Sequence, residues 1–407
     1  MTSNISRFPL RNAHANAAAK DNSGSLRTRA AAAAEVAARF ADAVDREGRF
    51  PKEAFDAIRE QRLLGILIPA ALGGEDASAA EVVDVCYILG RACASSAMIY
   101  AMHQTKIACL VRHSAGNVWQ EGLQRRIAEK QLLMASSTTE GANGGNIRSS
   151  EAAIQTKGSR IALERNASVI SYGEHADGIV TTARRAEAAA SSDQVLVAFL
   201  REDYTLERTQ SWDTLGMRGT CSVGFMLRAQ GDPNQILPEP YDRIHSQTMM
   251  PLAHLFWSAA WSGVAAGAVQ RARAFVRKAA RAAEGKLPPA AAHLTRARVS
   301  LETLRGAVQS ALRKFELHSS DPQSLTAMDV QIALNFLKVE ASELAVTIVM
   351  SAMRACGLSG YRNDSEFAMG RYLRDILSSP IMINNDRILA DSQAAVMMSD
   401  VPAGLSE

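Results

Sequence analysis

From about Leu132 to Arg228 the chain loses the helical repeat that dominates both of its flanks, and this interruption restricts the fold more than any other feature. Upstream, Ala-rich sequence runs from Leu26 to about Arg46, and Pro51 stands at a first helical position. Phe55, Ile58 and Leu63 then keep one apolar face. Ser78 is placed to cap a helix reaching about Gly90, and a further helical pattern covers Ser95 to His113. Inside the interruption, Ile179-Val180, Val195 to Leu200 and Val223 to Leu227 read as strands between polar turns. After Pro251 the helical period returns. There Leu325, Met328, Ile332, Phe336, Val339, Val346 and Met350 line one face of a long helix.

This order predicts an α+β fold, mainly α. Its expected parts are an N-terminal helical domain over 26–131, a barrel-like middle β-domain over 132–235 and a C-terminal four-helix bundle over 236–399. Residues 1–25, rich in Ser, Asn, Ala and Gly, and residues 400–407 are expected to be tails.

Composition narrows the function by exclusion. The net charge is +3 with no long basic run, so the chain lacks the electrostatic footprint of a nucleic-acid binder. No run of about 18 apolar residues marks a membrane span. The five cysteines form no C-x-x-C pair and no metal-spaced cluster. They read as reduced, buried thiols of a cytoplasmic protein without a metal site.

Several short motifs then appear in a fixed order. Pro69-Ala70-Ala71-Leu72-Gly73-Gly74 follows Phe50-Pro51, and Thr139-Glu140-Gly141-Ala142-Asn143-Gly144-Gly145-Asn146 forms a Gly-rich loop. Next come Val169-Ile170-Ser171-Tyr172-Gly173 and Leu215-Gly216-Met217-Arg218-Gly219-Thr220. Cys356-Gly357-Leu358-Ser359-Gly360-Tyr361 and Arg371-Tyr372-Leu373-Arg374-Asp375 close the series. Together they resemble the landmarks of the acyl-CoA dehydrogenase family, a scaffold also used by flavin-dependent monooxygenases. The resemblance extends from about Arg27 to Arg387.

The resemblance implies a bound flavin, FAD in the first place, with FMN or a reduced flavin as alternatives. The Gly-rich loop lets backbone approach a ligand closely. By resemblance, Thr138, Thr139 and Ser171 are the residues at the flavin ring. Arg354, Gly357 and Gly360 are assigned to its diphosphate end, with Arg354 replacing a family Gln and supplying a guanidinium suited to phosphate. Arg218 is assigned to substrate binding. Val169 stands where the family has a Trp, and Gly145 and Asn146 replace a Ser and an Asp, so the usual acyl-CoA contacts are not carried over.

The catalytic glutamate is missing. Counting from Arg374-Asp375, its slot falls on Ile383 or Asn384, and the alternative region, Leu255 to Ala259, also lacks a carboxylate. Asp386 could act in its place or begin a helix. His103 could serve flavin–oxygen chemistry or be a satisfied bundle histidine, and His175 is expected to face solvent. Three functions follow. The first is an FAD oxidoreductase desaturating an acyl thioester such as an acyl-CoA, or a related acid, and passing electrons to an acceptor. The second is a monooxygenase or oxidase fed with reduced flavin by a partner reductase. The third is an inert flavin-binding scaffold. The long apolar helix faces imply a homodimer or homotetramer.

Overall fold

Ser25 opens the first helix by accepting a hydrogen bond from the Thr28 amide, and Gly48, at φ 61°, closes it. The computed structural model describes residues 24–114, 116–141, 146–401 and 404. Most of the two expected tails and Gly145 of the Gly-rich loop lie outside these residues. The N-terminal helices are α1 (Leu26–Glu47), α2 (Lys52–Glu60), α3 (Ala79–Ala92), α4 (Ala94–His113) and α5 (Val118–Lys130). Ser78 caps α3 as expected, in a full capping box with Glu81.

Among the described residues seven strands follow: β1 (Met134–Ser137), β2 (Gln155–Lys157), β3 (Arg160–Ile170), β4 (Gly178–Arg184), β5 (Gln194–Leu200), β6 (Tyr204–Arg208) and β7 (Val223–Gly231). They pair as two sheets, in the orders β1-β4-β5 and β2-β3-β7-β6. β1 runs parallel to β4, and the remaining pairs are antiparallel. β4 and β5 are covered on both faces; β5 is apolar from Val195 to Leu200, whereas β4 follows Ile179-Val180 with the buried Thr181 and Thr182. The exposed edge strand β6 alternates instead and is hard to see in the sequence.

The C-terminal helices are α6 (Tyr241–Ile244), α7 (Met250–Ala282), α8 (Ala291–His318), α9 (Met328–Cys356), α10 (Leu358–Tyr361), α11 (Gly370–Ile376) and α12 (Asn385–Met398). A π-helical turn, His245–Met249, joins α6 to α7 in one continuous helix. That helix is apolar enough to cross a membrane, yet its apolar stretch is wholly buried inside the fold. α7 crosses α3 at near backbone contact. A Cβ on Gly90 would lie 2.3 Å from the Ala260 carbonyl oxygen, and one on Gly263 would lie 2.3 Å from that of Tyr87. Only glycine permits this crossing, which fuses the N-terminal helices to the bundle.

On α9 the apolar residues split into two stripes. Val330, Leu334, Leu337, Ala341, Ala345 and Ile348 are buried, whereas Met328, Phe336 and Met350 are about 40% exposed. The face read from the sequence is therefore the outer one. All five cysteines are free thiols, and four of them are buried.

Candidate active site

The Leu215–Thr220 turn is where the three parts of the chain meet. A Cβ on Gly216 would lie 2.1 Å from the Arg374 carbonyl oxygen, and one on Gly219 would lie 2.4 Å from Val44. The Met217 amide donates to the buried Asp375 carboxylate at 2.7 Å. Two motifs that are 158 residues apart thus lock together. The surface they frame opens into a cavity of about 860 Å³ between the middle sheets, α4, the π turn with α7, and the segment from Arg374 to Ser392.

The sheet side of this cavity is a row of hydroxyls: Ser136, Thr138, Thr139, Ser171, Thr220 and Ser222. Three of them form a chain whose direction is fixed. The Thr220 hydroxyl donates to the Met217 carbonyl at 2.8 Å, since a carbonyl can only accept. Thr220 must then accept from Ser222 at 2.7 Å, and Ser222 must accept from Ser171 at 2.8 Å. Ser171 therefore has only lone pairs left for a ligand.

The helical side carries the cationic and basic groups. Lys106 on α4 is buried, and its ammonium donates to the Met249 thioether at 3.3 Å. Burial pushes its pKa down to about 8. His254 on α7 donates from Nδ1 to the Leu334 carbonyl at 3.1 Å. Burial holds the ring neutral, with a pKa of about 3, so the proton sits on Nδ1 and Nε2 is an acceptor. His245 in the π turn is likewise buried and pushed down to about 3. π turns recur at functional sites because they displace side chains from the regular helical register.

The third wall is the segment around the expected glutamate slot. Ile383 and Asn384 do line the cavity. Ile383 sits at φ 45°, a costly conformation for a β-branched residue. Lys338 holds it there by donating to the Ile383 carbonyl at 2.9 Å and to Asn385 Oδ1 at 2.6 Å. Among the described residues lining the cavity, the one carboxylate is Asp391, which is exposed at the rim.

Thr138, Thr139 and Ser171 lie together on the cavity wall. Other candidates from the sequence do not reach it. His103 is fully buried, with Nε2 donating to the Leu64 carbonyl at 2.8 Å and Nδ1 accepting from the Met134 amide at 3.0 Å. Both ring nitrogens serve backbone, so the bundle-histidine alternative is the one the geometry supports. Asp386 is exposed in the first turn of α12, where its amide donates to Asn384 Oδ1. Arg218 turns away and donates to the Asp45 carbonyl at 2.8 Å, tying the motif to α1. His175 is exposed and stacks on Phe50 at 4.4 Å.

Arg354 is exposed at the end of α9, with Gly357 and Gly360 just beyond. It is 19 residues past the cavity residue Asn335, about 28 Å along a helix. The structure thus does not bring this group to the cavity of its own chain. Lys106, His245, His254, Thr220 and Ser222 were not predicted. Lys106 and the two histidines carry no local motif, whereas Thr220 ends the Leu215–Thr220 motif and Ser222 lies two residues beyond it, so both were open to inference.

Residues 25–125 match the N-terminal domain of acyl-CoA dehydrogenases, and residues 247–397 match the C-terminal domain. The chain belongs to the acyl-CoA dehydrogenase family. It is 25% identical over 335 residues to a probable FMNH2-dependent monooxygenase, SfnC, of Pseudomonas putida, covering 78% of this chain and 82% of that protein. It is 24% identical over 361 residues to cyclohex-1-ene-1-carbonyl-CoA dehydrogenase of Geobacter metallireducens, covering 87% and 91%. FMN-bound TdsC from Paenibacillus sp. A11-2 shares the fold with a TM-score of 0.81 at 16% identity, over 93% of this chain and 98% of that one. Within this family the chain is a flavin-dependent oxidoreductase, and its relatives span both dehydrogenation and oxygenation.

Proposed function

We propose that this member of the family is a flavin-dependent monooxygenase that uses reduced flavin, oxygen and a small organic substrate. One observation carries the reading. The slot of the dehydrogenase base holds Ile383 and Asn384, while the inner cavity presents Lys106, His245 and His254 and, among the described residues, no carboxylate. Dehydrogenation needs a base able to take an α-proton. A buried imidazole with a pKa near 3 is too weak for that. It is suited instead to accept a hydrogen bond, or to steer a proton at an oxygen atom, while the surrounding Met98, Met102, Met250 and Trp257 exclude water.

The cavity is large enough for a flavin ring, and its hydroxyl wall matches the ring's polar edge. Thr138, Thr139 and Ser171 would hold that edge, and bound reduced flavin would supply the electrons for oxygen activation. Arg354, Gly357 and Gly360 would reach a flavin only across an interface between copies of the chain. A separate reductase is the natural source of reduced flavin, and a homodimer or homotetramer is the expected assembly.

The test is the spectrum of the purified flavin-loaded protein. Anaerobic addition of a panel of acyl-CoA thioesters is expected to leave the oxidised flavin unbleached. Reduced flavin with oxygen and a suitable substrate is expected to give an oxygenated product. Bleaching by any thioester would replace this reading with dehydrogenation.

A further inference from the structure

A buried ammonium is costly unless its donors are satisfied, and proteins usually provide a carboxylate for it. Lys106 is 3% exposed, and its hydrogen bond goes to the sulfur of Met249, a weak acceptor. The ammonium has three donors, and its side chain lines the cavity. Arg148, which is exposed, lines the outer part of the cavity, and both cations act on His245. The carboxylate at this cavity, Asp391, is at the exposed rim. Among the described residues, the inner end therefore combines the Lys106 charge, a neutral histidine and apolar walls without a carboxylate to balance them.

We propose that Lys106 is a specificity-determining residue that receives a negatively charged oxygen group of the substrate, of the carboxylate, sulfinate or phenolate class. The inference rests on reading this cavity as the substrate site. A monoanion would accept the free ammonium donors and supply the missing counter-charge. His245 stands beside it, and the apolar walls take the organic body. A neutral molecule of the same shape would leave the ammonium unpaired. Discrimination therefore comes from the cost of an unsatisfied buried charge as well as from the attraction itself.

The experiment is calorimetric titration of the full-length, flavin-loaded protein with benzoate, benzenesulfinate and 4-nitrophenolate, and with benzamide as the neutral match to benzoate. At least one anion should bind about 10- to 100-fold more tightly than benzamide, as for a charge-assisted contact. Lys106→Met should abolish this preference while leaving benzamide and flavin affinity within about twofold, and Lys106→Arg should retain part of it.

If Lys106→Met fails to fold, Lys106→Gln takes its place, and the comparison of anion with amide in the wild type stands alone. Anions binding no better than benzamide, or no binding of any anion, would overturn the proposal. So would a loss of flavin affinity in Lys106→Met, which would assign the cation to the flavin's own anionic atoms. No turnover enters the measurement, so a failure of the monooxygenase reading, seen as missing product, is separable from a failure here.

Discussion

Ser171 donates its hydroxyl proton to Ser222 across 2.8 Å, because every proton further along the chain is already committed toward the Met217 carbonyl. The oxygen of Ser171 consequently faces a ligand as an acceptor. A reduced flavin ring carries more N–H groups than an oxidised one, so this polarity favours the reduced form. Ser222→Ala frees the Ser171 hydroxyl to donate and should narrow the preference.

Spectroelectrochemical titration of bound flavin checks this point. Relative to free flavin, the wild type should show a raised midpoint potential that falls back in Ser222→Ala. Ser171→Ala should weaken reduced-flavin binding roughly fivefold, the equivalent of about 1 kcal/mol. An unchanged potential in both variants would remove the serine pair from the flavin site.

His254 offers a cleaner test of proton handling. Asparagine can reproduce the Nδ1 donor to the Leu334 carbonyl but has no counterpart to Nε2. His254→Asn should keep flavin affinity and melting temperature near wild type. Its turnover with reduced flavin and oxygen should fall by about 5- to 10-fold, as for a lost hydrogen bond to the reacting oxygen. Undiminished turnover would return His254 to a packing role.

Stability should depend on pH through the buried histidines. Burial lowers His103 to about 4 and His113, His245 and His254 to about 3, from an ordinary value of 6.5. A group depressed in this way contributes stability that is complete above pH 6.5 and is lost as pH falls toward the folded value. For His103 alone this amounts to about 3 kcal/mol. Asp375, raised by burial to about 6, opposes it with one proton. Lys106, at about 8, carries its full burial cost throughout this window and adds no slope. Denaturant unfolding at pH 7 and pH 5 should show a steep net loss toward acid, and a flat profile would contradict the buried, neutral rings.

The outer stripe of α9 predicts assembly. Phe336 and Met350 are each about 40% exposed, and Val299 and Leu317 on α8 are more so. Light scattering at micromolar concentration should give a dimer or tetramer, and Phe336→Glu with Met350→Glu should shift it toward monomer. In the assembled protein, Arg354→Gln should weaken FAD binding more than riboflavin binding. A monodisperse wild-type monomer would defeat both expectations.

Local chemistry carried much of the fold into view. The Ser78 cap and the apolar runs Ile179-Val180 of β4 and Val195 to Leu200 of β5 are decided within a few residues, so periodicity and capping expose them. β6, on an exposed edge, buries too little of its side-chain surface to leave such a mark. On α9 the pattern held two apolar stripes, and periodicity alone does not say which one faces the core. The same limit governed the site. Thr138, Thr139 and Ser171 lie in or beside contiguous motifs, and they share one cavity wall.

His103 drew attention to α4, but its ring turns to the backbone of Leu64 and Met134, while Lys106, one turn later, faces the cavity. The sequence by itself determined the helix–sheet–helix order, the family landmarks and the absence of the glutamate. Only the tertiary structure decided that Lys106, His245 and His254 line the cavity that the glutamate slot borders. Those three side chains line one cavity because α4 packs against the π turn and α7, and burial then sets their charge states. Neither the packing nor the desolvation is encoded in any short stretch of chain.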